Sequence, residues 1–281
     1  MTQPTLSEEE FRLWAEWLAE EYGLQFGPER RDTLRNRLEP RRSALGLRTY
    51  EDLLFRVKLH PEREAERERL LPHLTNNESY FCRELGTLKV LRDEVLPALA
   101  ERLGRTGELR VLSAACAAGE EVYTLAATVR DSGVFDPARV RITGVDLDPS
   151  ALDRARAGSY GEHAFRGTGP AFRERWFHPD GEGRWEVKEE LRRGVEFRRA
   201  NLVDPGWWRG LEPQHMVLCR NVLIYFGDGA LRRAAEGLHA ALAPEGYLFL
   251  GHAETLRRVP TPLRVERRPG AIFYRRPRGT S

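Results

Sequence analysis

The stretch LSAACAAGEEVYTLA, residues 112–126, changes from the pattern of a buried strand to that of a helix. Its first residues are apolar, and its last residues begin a helical pattern that runs to Gly133. The loop between them is built from small residues with one glycine, Gly119. In open α/β sheets, ligands bind beyond the carboxyl ends of the strands, at such turns. We therefore expect a ligand site at this loop.

Strand and helix patterns alternate on both sides of this loop, from about residue 85 onward. Helices separating apolar strands predict a mostly parallel sheet that is covered on both faces. The alternation breaks between Tyr160 and Arg193, where turn residues surround the strand pattern RWEVK. A small β-subdomain, inserted at about 165–197, is the expected interpretation.

The N-terminal part of the chain reads as all-helical. Ser7 is a plausible N-cap followed by three acidic residues, and apolar residues then recur at helical spacing until Gly23. A second helix contains Pro40, which is expected to bend or split it. The predicted organisation is a helical domain over residues 1–72 and an α/β domain over residues 73–281.

The residues of this loop limit the class of ligand that it could bind. GxGxxG and GK[ST] are both missing, which disfavours a dinucleotide-binding dehydrogenase and removes a P-loop. Glu120 and Glu121 would repel a phosphate, and Asp146 ends the next strand, where related folds place an acid on ribose hydroxyls. Two acids without a phosphate cradle fit S-adenosylmethionine. An ordinary turn at the end of a strand is the simpler alternative.

Two further segments carry polar residues beside apolar ones. LTNNESYFCRE (74–84) links the two predicted domains, and HMVLCRNVLIYF (215–226) runs from an apolar strand into polar residues. Capping and packing would also explain these side chains. The candidates are Asn77, Ser79, Arg83, Arg220, Asn221 and Tyr225.

Taken together, these segments resemble the CheR family of chemotaxis receptor glutamate methyltransferases. The matching stretches are NNESYFCRE, SAACAAGEEVY, TGVDLDPSALDRARAGSY, CRNVLIYF and GYLFLGHAE. The resemblance implies a Rossmann-like S-adenosylmethionine-dependent domain with an inserted β-subdomain, preceded by an all-helical domain. By position it implies cofactor contacts at Asn77, Ser79, Arg83, Glu120 or Glu121, Asp146, Asn201, Leu202, Arg220 and Asn221. Departures from the family pattern are Ser79, Cys82 and Val122, and none removes a polar contact.

The resemblance also implies an activity: methyl transfer to glutamate side chains of chemoreceptors, with S-adenosylhomocysteine as the second product. A glutamate carboxylate has a pKa of about 4.3 and is already ionised at neutral pH, so no general base is needed. Arg83 and Tyr225 are the implied catalytic residues. No metal is expected.

Residues 30–48 carry seven arginines against two acidic residues. A solvated helix face and a nucleic-acid surface are alternatives for such a run. The resemblance favours docking of acidic receptor methylation helices, with Arg31, Arg35 and Arg42 as contacts. No membrane insertion and a cytoplasmic location are expected, since no secretion signal or membrane-length apolar stretch is visible. A monomer without a nucleic-acid partner is also expected.

Two rival functions stay open at this point. One is a methyltransferase acting on RNA or a small molecule, with the basic helix holding phosphate. The other is a module that senses S-adenosylmethionine without turnover.

Overall fold

The computed structural model describes residues 5–279 of the 281-residue chain. The α-helices in this part are α1 (Glu8–Tyr22), α2 (Arg31–Ala44), α3 (Tyr50–Lys58), α4 (Arg63–Leu74), α5 (Leu85–Val90), α6 (Leu96–Leu103), α7 (Glu120–Ser132), α8 (Pro149–Ala157), α9 (Pro170–Trp176), α10 (Glu189–Arg192), α11 (Pro205–Arg209) and α12 (Asp228–Ala241). The strands are β1 (Leu109–Ala114), β2 (Val140–Asp146), β3 (Ser159–Tyr160), β4 (Phe177–Pro179), β5 (Trp185–Val187), β6 (Val195–Arg199), β7 (Gln214–Cys219), β8 (Leu242–Leu250), β9 (Arg264–Arg268) and β10 (Ala271–Arg275). No described helix is long and apolar enough to cross a bilayer.

The first four helices form their own bundle around a separate core. Ser7 caps α1 through a capping box with Glu10, and Gly23 ends the helix in the left-handed conformation at φ 76°. Trp14, at the centre of the bundle, is completely buried. The sequence patterns therefore predicted this unit correctly at the level of its helices.

Pro40 neither splits nor interrupts α2, which is a correction to the sequence expectation. The helix runs unbroken from Arg31 to Ala44, with Leu34 and Leu38 buried on its inner face. Pro40 itself is exposed, so its ring points away from the bundle core. Packing of the inner face therefore holds the helix across the missing amide hydrogen bond.

A seven-stranded sheet with the order β6-β2-β1-β7-β8-β10-β9 forms the second unit. The five strands from β6 to β8 are parallel, and β10 and β9 are antiparallel. Buried apolar residues cover both faces of the sheet in two clusters. The predicted fold class, a helical domain before a Rossmann-like domain, is confirmed.

The inserted subdomain is a three-stranded sheet with the order β3-β5-β4. It begins at Ser159, earlier than the expected 165, and its last strand ends at Val187. Residues near 197 instead belong to β6 of the main sheet, which pairs with β2. The two-residue strand β3 is too short to leave an alternating pattern in the sequence.

The helical bundle is tied to the sheet at the carboxyl ends of the strands. Leu24 forms an isolated antiparallel bridge with Phe226, and the Gln25 amide donates to the Tyr225 carbonyl at 2.8 Å. Arg199 pairs with Glu68 of α4 at 2.6 Å. The connection between α1 and α2 therefore lies against the loop that follows β7.

Candidate functional site

A cavity of about 400 Å³ lies where the bundle meets the carboxyl ends of β1, β2, β6 and β7. Pockets of about 300–1,000 Å³ are typical for small-molecule ligands. Three groups of residues line it: strand ends, the linker 75–80 with Arg83, and residues 22–26 of the helical bundle with Arg30, Thr33 and Arg37. The sequence predicted the first two groups, whereas the bundle residues were missed.

The loop after β1 is held in an unusual backbone conformation. Ala115 and Ala117 have φ angles of 62° and 49°, and Gly119 has 91°. A Cβ at Gly119 would lie 2.9 Å from the Ala155 Cβ, so glycine is required there. The alanines adopt a left-handed conformation that is unfavourable for them, as is common at functional sites.

Asp146 fixes this loop. Its Oδ2 accepts from the Ala117 amide at 2.8 Å, and its Oδ1 accepts from the Asp148 amide at 3.0 Å. Burial raises the pKa of the Asp146 carboxyl, and these backbone donors oppose the rise. Asp146 lines the cavity, so its remaining acceptor positions face the ligand space.

The structure places the two adjacent glutamates differently. Glu121 lines the cavity, where its Oε1 accepts from the Ser113 hydroxyl at 2.7 Å and its Oε2 from Arg220 at 3.0 Å. Glu120 lies outside the cavity lining, is 6% exposed, and its Oε2 has no hydrogen-bond partner. Burial raises the pKa of Glu120, and a hydrogen bond from Ser79 opposes the rise. Glu121 is therefore the acid available to a ligand.

Arg220 is already engaged within the protein. Its two terminal nitrogens contact Glu121 at 3.0 Å and Glu84 at 2.9 Å, and one also donates to the Arg83 carbonyl. Its side chain is 4% exposed. Arg220 also lines the cavity, so its expected cofactor contact stays a prediction, and within the protein it orients Glu121 and the backbone at Arg83.

A buried acid that the sequence analysis missed anchors the linker between the two units. Asp148 is fully buried, caps α8 through Ser150, and accepts from the Asn77 side chain at 2.6 Å. Because a carboxylate only accepts, the Asn77 NH₂ group must face Asp148. The Asn77 Oδ1 is thus left as an acceptor toward the cavity that Asn77 lines.

Arg83 differs from most arginines of this protein. It lines the cavity, with its guanidinium 5.5 Å from the ring centroid of Tyr80. Within residues 5–279, no acidic side chain lies within ion-pair distance of it. An arginine that lines a cavity without a protein counter-ion is available to an anionic ligand.

Asn201 and Leu202 follow the end of β6. The Asn201 amide donates to the Glu21 carbonyl at 2.8 Å and accepts from the Val203 amide at 3.2 Å. Its side chain therefore connects the two units, and because Asn201 also lines the cavity, the expected cofactor contact at this position stays a prediction. Leu202 is buried and lines the cavity.

Tyr225 and Asn221 follow β7. The Tyr225 hydroxyl accepts from the Asn76 side chain at 3.0 Å, which leaves its own hydrogen free to donate. Asn221 lines the cavity with a left-handed backbone, at φ 62°. Asn76 was not singled out in the sequence, because its partner lies 149 residues away.

The expected docking arginines separate into two groups. Arg31 is exposed and Arg35 is half-buried, with a distant Asp32 partner at 3.9 Å. Arg42 makes a bidentate pair with Glu39 at 2.7 and 2.8 Å and also donates to the Leu47 carbonyl. The docking role expected for Arg42 stays a prediction, and its guanidinium makes these three hydrogen bonds within the bundle.

Comparison with known proteins decides the family. The profile described as "CheR methyltransferase, SAM binding domain" matches residues 77–271, and "CheR methyltransferase, all-alpha domain" matches residues 9–75. The chain belongs to the CheR methyltransferase family. It is therefore an S-adenosylmethionine-dependent protein methyltransferase. The rival functions, methylation of RNA or a small molecule and sensing without turnover, are not favoured.

Curated relatives span nearly the whole chain. Chemotaxis protein methyltransferase 1 of Pseudomonas aeruginosa is 34% identical over 271 residues, covering 95% of this chain and 97% of that protein. The chemotaxis protein methyltransferase of Vibrio parahaemolyticus is 32% identical over 278 residues, covering 97% and 99%. The probable biofilm formation methyltransferase WspC of Pseudomonas aeruginosa is 35% identical over 217 residues, covering 76% of this chain and 49% of that protein.

The cavity fits S-adenosylmethionine chemically. The acceptors at Asp146, Glu121 and Asn77 suit the hydroxyl and ammonium groups of that molecule. The loop after β1 offers no glycine-rich cradle for a phosphate, which this ligand lacks. Among residues 5–279, no group of three or more His, Cys, Asp or Glu side chains is arranged to hold a metal ion.

Proposed function

We propose that this protein transfers the methyl group of S-adenosylmethionine to glutamate side chains on the cytoplasmic methylation helices of chemoreceptors, forming methyl esters. Membership in the CheR family and the names of its chemotaxis relatives support this proposal. The observation that carries the site assignment is Arg83, an arginine without a protein counter-ion that lines the cavity.

We propose Asp146, Glu121, Asn77 and Asn221 as side-chain contacts of the cofactor, with Ser79 and the backbone at residues 201–202 completing the pocket. When bound, S-adenosylmethionine supplies an electrophilic methyl group on a sulfonium. Arg220 would keep Glu121 in place from behind. The exclusion of Glu120 from this set follows from its position outside the cavity lining.

The substrate carboxylate would be ionised at neutral pH, so the chain has to orient it rather than deprotonate it. Arg83 would hold one carboxylate oxygen, and the free hydrogen of Tyr225 would be donated to the substrate. Hydrogen bonds to a nucleophile lower its reactivity, so their benefit lies in positioning, which supplies much of the rate in such transfers. Bundle residues 24–26 line the cavity and would exclude water.

The substrate would approach over α2, where Arg31 and Arg35 offer positive charge beside the cavity residues Arg30 and Arg37. Glutamate-rich receptor helices are complementary to that charge. We further propose a cytoplasmic monomer without a nucleic-acid partner, organised as a helical domain over 1–72 and a methyltransferase domain over 73–281. The location of the receptor methylation helices in the cytoplasm supports the proposed compartment.

Transfer of tritiated methyl groups tests this function. We expect label on a receptor cytoplasmic domain and none on RNA, with release of the label by base, as for an ester. Arg83→Ala should reduce transfer by roughly hundredfold or more while the melting temperature stays close to that of the parent, because no ion pair and no side-chain hydrogen bond among residues 5–279 is lost. Arg83→Lys is the matched control and should keep part of the activity. Near-normal transfer by Arg83→Ala would contradict the role of this arginine.

A further inference from the structure

One carboxylate behind the proposed cofactor site accepts hydrogen bonds from four backbone amides. Glu254 Oε1 accepts from the Val222 amide at 2.9 Å and from the Leu223 amide at 2.7 Å. Its Oε2 accepts from the Asn221 amide at 2.6 Å and from the Gly251 amide at 2.8 Å. Within residues 5–279, Glu254 has no ion-pair partner, so the backbone supplies its main interactions.

Three of these amides belong to consecutive residues, 221–223, in the turn that follows β7. Asn221 starts this turn with a φ of 62°, a conformation that is unfavourable for a residue other than glycine. Leu223–Tyr225 then form a short 3₁₀ turn, and the negative charge of Glu254 faces its N-terminal amides. Glu254 thus compensates the strained conformation at Asn221.

The side chains carried by this turn face the cavity. Asn221, Val222 and Tyr225 all line it, whereas Glu254 does not. A rotation of the turn would move the Asn221 amide and the Tyr225 hydroxyl together. The carboxylate is therefore connected to the ligand space only through the backbone that it holds.

Gly251 completes the arrangement from the neighbouring strand end. A Cβ at this position would lie 2.7 Å from Glu254 Oε2 and 3.0 Å from Asn221 Nδ2. Its φ is not in the left-handed region, so alanine would be opposed by these contacts and not by backbone strain. Gly251 therefore gives a second, independent way to disturb the same turn while the carboxylate is kept.

We propose that Glu254 is a positioning residue of the methyl-transfer site, which holds the turn 221–225 so that Asn221 meets the cofactor and Tyr225 meets the substrate. This inference rests on the proposed roles of Asn221 and Tyr225. It assigns a function to the acid of the GHAE segment, residues 251–254, beyond that of capping a turn.

The test is Glu254→Gln, with binding of S-adenosylhomocysteine to the full chain measured by calorimetry. Glutamine keeps the shape but turns an NH₂ group toward two backbone donors, so two of the four hydrogen bonds are lost. We expect a dissociation constant raised roughly tenfold or more. Gly251→Ala should weaken binding in the same direction.

Matched controls test whether a loss of carboxylate charge or an added methyl group weakens binding when it lies away from the turn 221–225. Glu266→Gln removes a carboxylate from the edge strand β9, where it pairs with Arg275 and Arg268. Gly169→Ala adds a methyl group with nothing within 4 Å of it. Both controls should keep the dissociation constant within about twofold of the parent, since neither residue lines the cavity.

A double-mutant cycle with Asn221→Ala distinguishes positioning from general stabilisation. If Glu254 acts through Asn221, the double variant should bind no more than about twofold more weakly than Asn221→Ala alone. Independent losses that add would overturn the proposal, as would a parent-like affinity of both Glu254→Gln and Gly251→Ala. Should Asn221→Ala itself bind like the parent, the site assignment fails and the inference with it, an outcome distinct from a failure of Glu254 alone.

Discussion

The side-chain amide of Asn76 donates to the hydroxyl of Tyr225 at 3.0 Å, across 149 residues of sequence. The contact joins the linker between the two units to the turn after β7. The Tyr225 carbonyl also accepts from the Gln25 amide at 2.8 Å. Tyr225 is therefore held by hydrogen bonds at both its backbone and its hydroxyl.

Removing the Tyr225 hydroxyl should affect transfer more than cofactor binding. We expect Tyr225→Phe to lower kcat roughly tenfold to hundredfold, because the substrate loses a positioning donor. The affinity for S-adenosylhomocysteine should stay within about twofold of the parent. Methyl-transfer kinetics and calorimetry measure the two quantities, and Tyr247→Phe, outside the cavity lining, is the control. Asn76→Ala should add nothing to Tyr225→Phe if the amide acts through that hydroxyl.

The same substitution at the two adjacent glutamates should change the affinity for S-adenosylhomocysteine at one position and not at the other. Glu121→Gln disturbs the contacts with Ser113 and Arg220, so we expect the affinity for S-adenosylhomocysteine to fall roughly tenfold. Glu120→Gln should leave that affinity within about twofold, because Glu120 is outside the cavity lining. Calorimetry on both variants measures the contrast, and equal losses of affinity would contradict the assignment.

Glu120→Gln should also stabilise the fold at neutral pH. Burial raises the pKa of Glu120, so the folded state holds the proton more tightly than the unfolded state does. The parent therefore loses stability as the pH rises above the ordinary value of 4.5 and through the raised pKa. Denaturant unfolding at several pH values should show the variant gaining over the parent as the pH increases. A constant difference at all pH values would argue against a raised pKa of Glu120 in the folded protein.

Charge reversal on α2 should weaken substrate binding without changing the affinity for the cofactor. For Arg31→Glu with Arg35→Glu, we expect a higher KM for the receptor domain, and an effect that shrinks at high salt. Arg105→Glu changes the charge in the same way on an exposed loop after α6 and should leave KM unchanged. Arg42→Gln should instead lower the melting temperature, since it breaks the bidentate pair with Glu39. An unchanged KM after charge reversal at Arg31 and Arg35 would contradict the proposal that α2 is part of the docking surface.

The acid stability of the fold should depend on His215. This side chain is buried, and its Nδ1 accepts from the Arg110 amide at 3.1 Å, which requires the neutral imidazole. Burial, together with the charge of Arg110, lowers the pKa of His215 from 6.5 to about 4. The unfolded chain therefore binds a proton first, and stability should fall as the pH drops from about 6.5 toward 4. Thermal melts across this range should show a flatter profile for His215→Asn, and an unchanged slope would contradict this assignment.

Periodicity was sufficient to predict a helical unit followed by a mostly parallel α/β sheet, because strands and helices of this length leave patterns within a few residues of sequence. The N-cap at Ser7 and the end of α1 at Gly23 are local features and were predicted correctly. The short strand β3 was missed, since two residues carry no period. The split expected at Pro40 was also wrong, because the packing of Leu34 and Leu38 outweighs the lost hydrogen bond.

The site was predictable as a set of segments but not as a set of contacts. The resemblance named the polar residues after β1, β2, β6 and β7, and most of them line one cavity. Which oxygen or nitrogen stays free depends on partners that are distant in sequence. The Asn201 side-chain amide donates to the Glu21 carbonyl, 180 residues away in sequence. The Asn221 backbone amide donates to the Glu254 carboxylate, 33 residues away. No local pattern encodes such pairings.

The bridge between Leu24 and Phe226 limits how this protein can be divided. A methyltransferase unit expressed alone, from residue 77 onward, would lack one wall of its own cavity and the donor to the Tyr225 carbonyl. Chimaeras that exchange helical domains between relatives must therefore bring along a compatible segment at residues 24–26. In this chain, the helical domain that would bind the substrate also forms part of the wall of the cavity in which the reaction would take place.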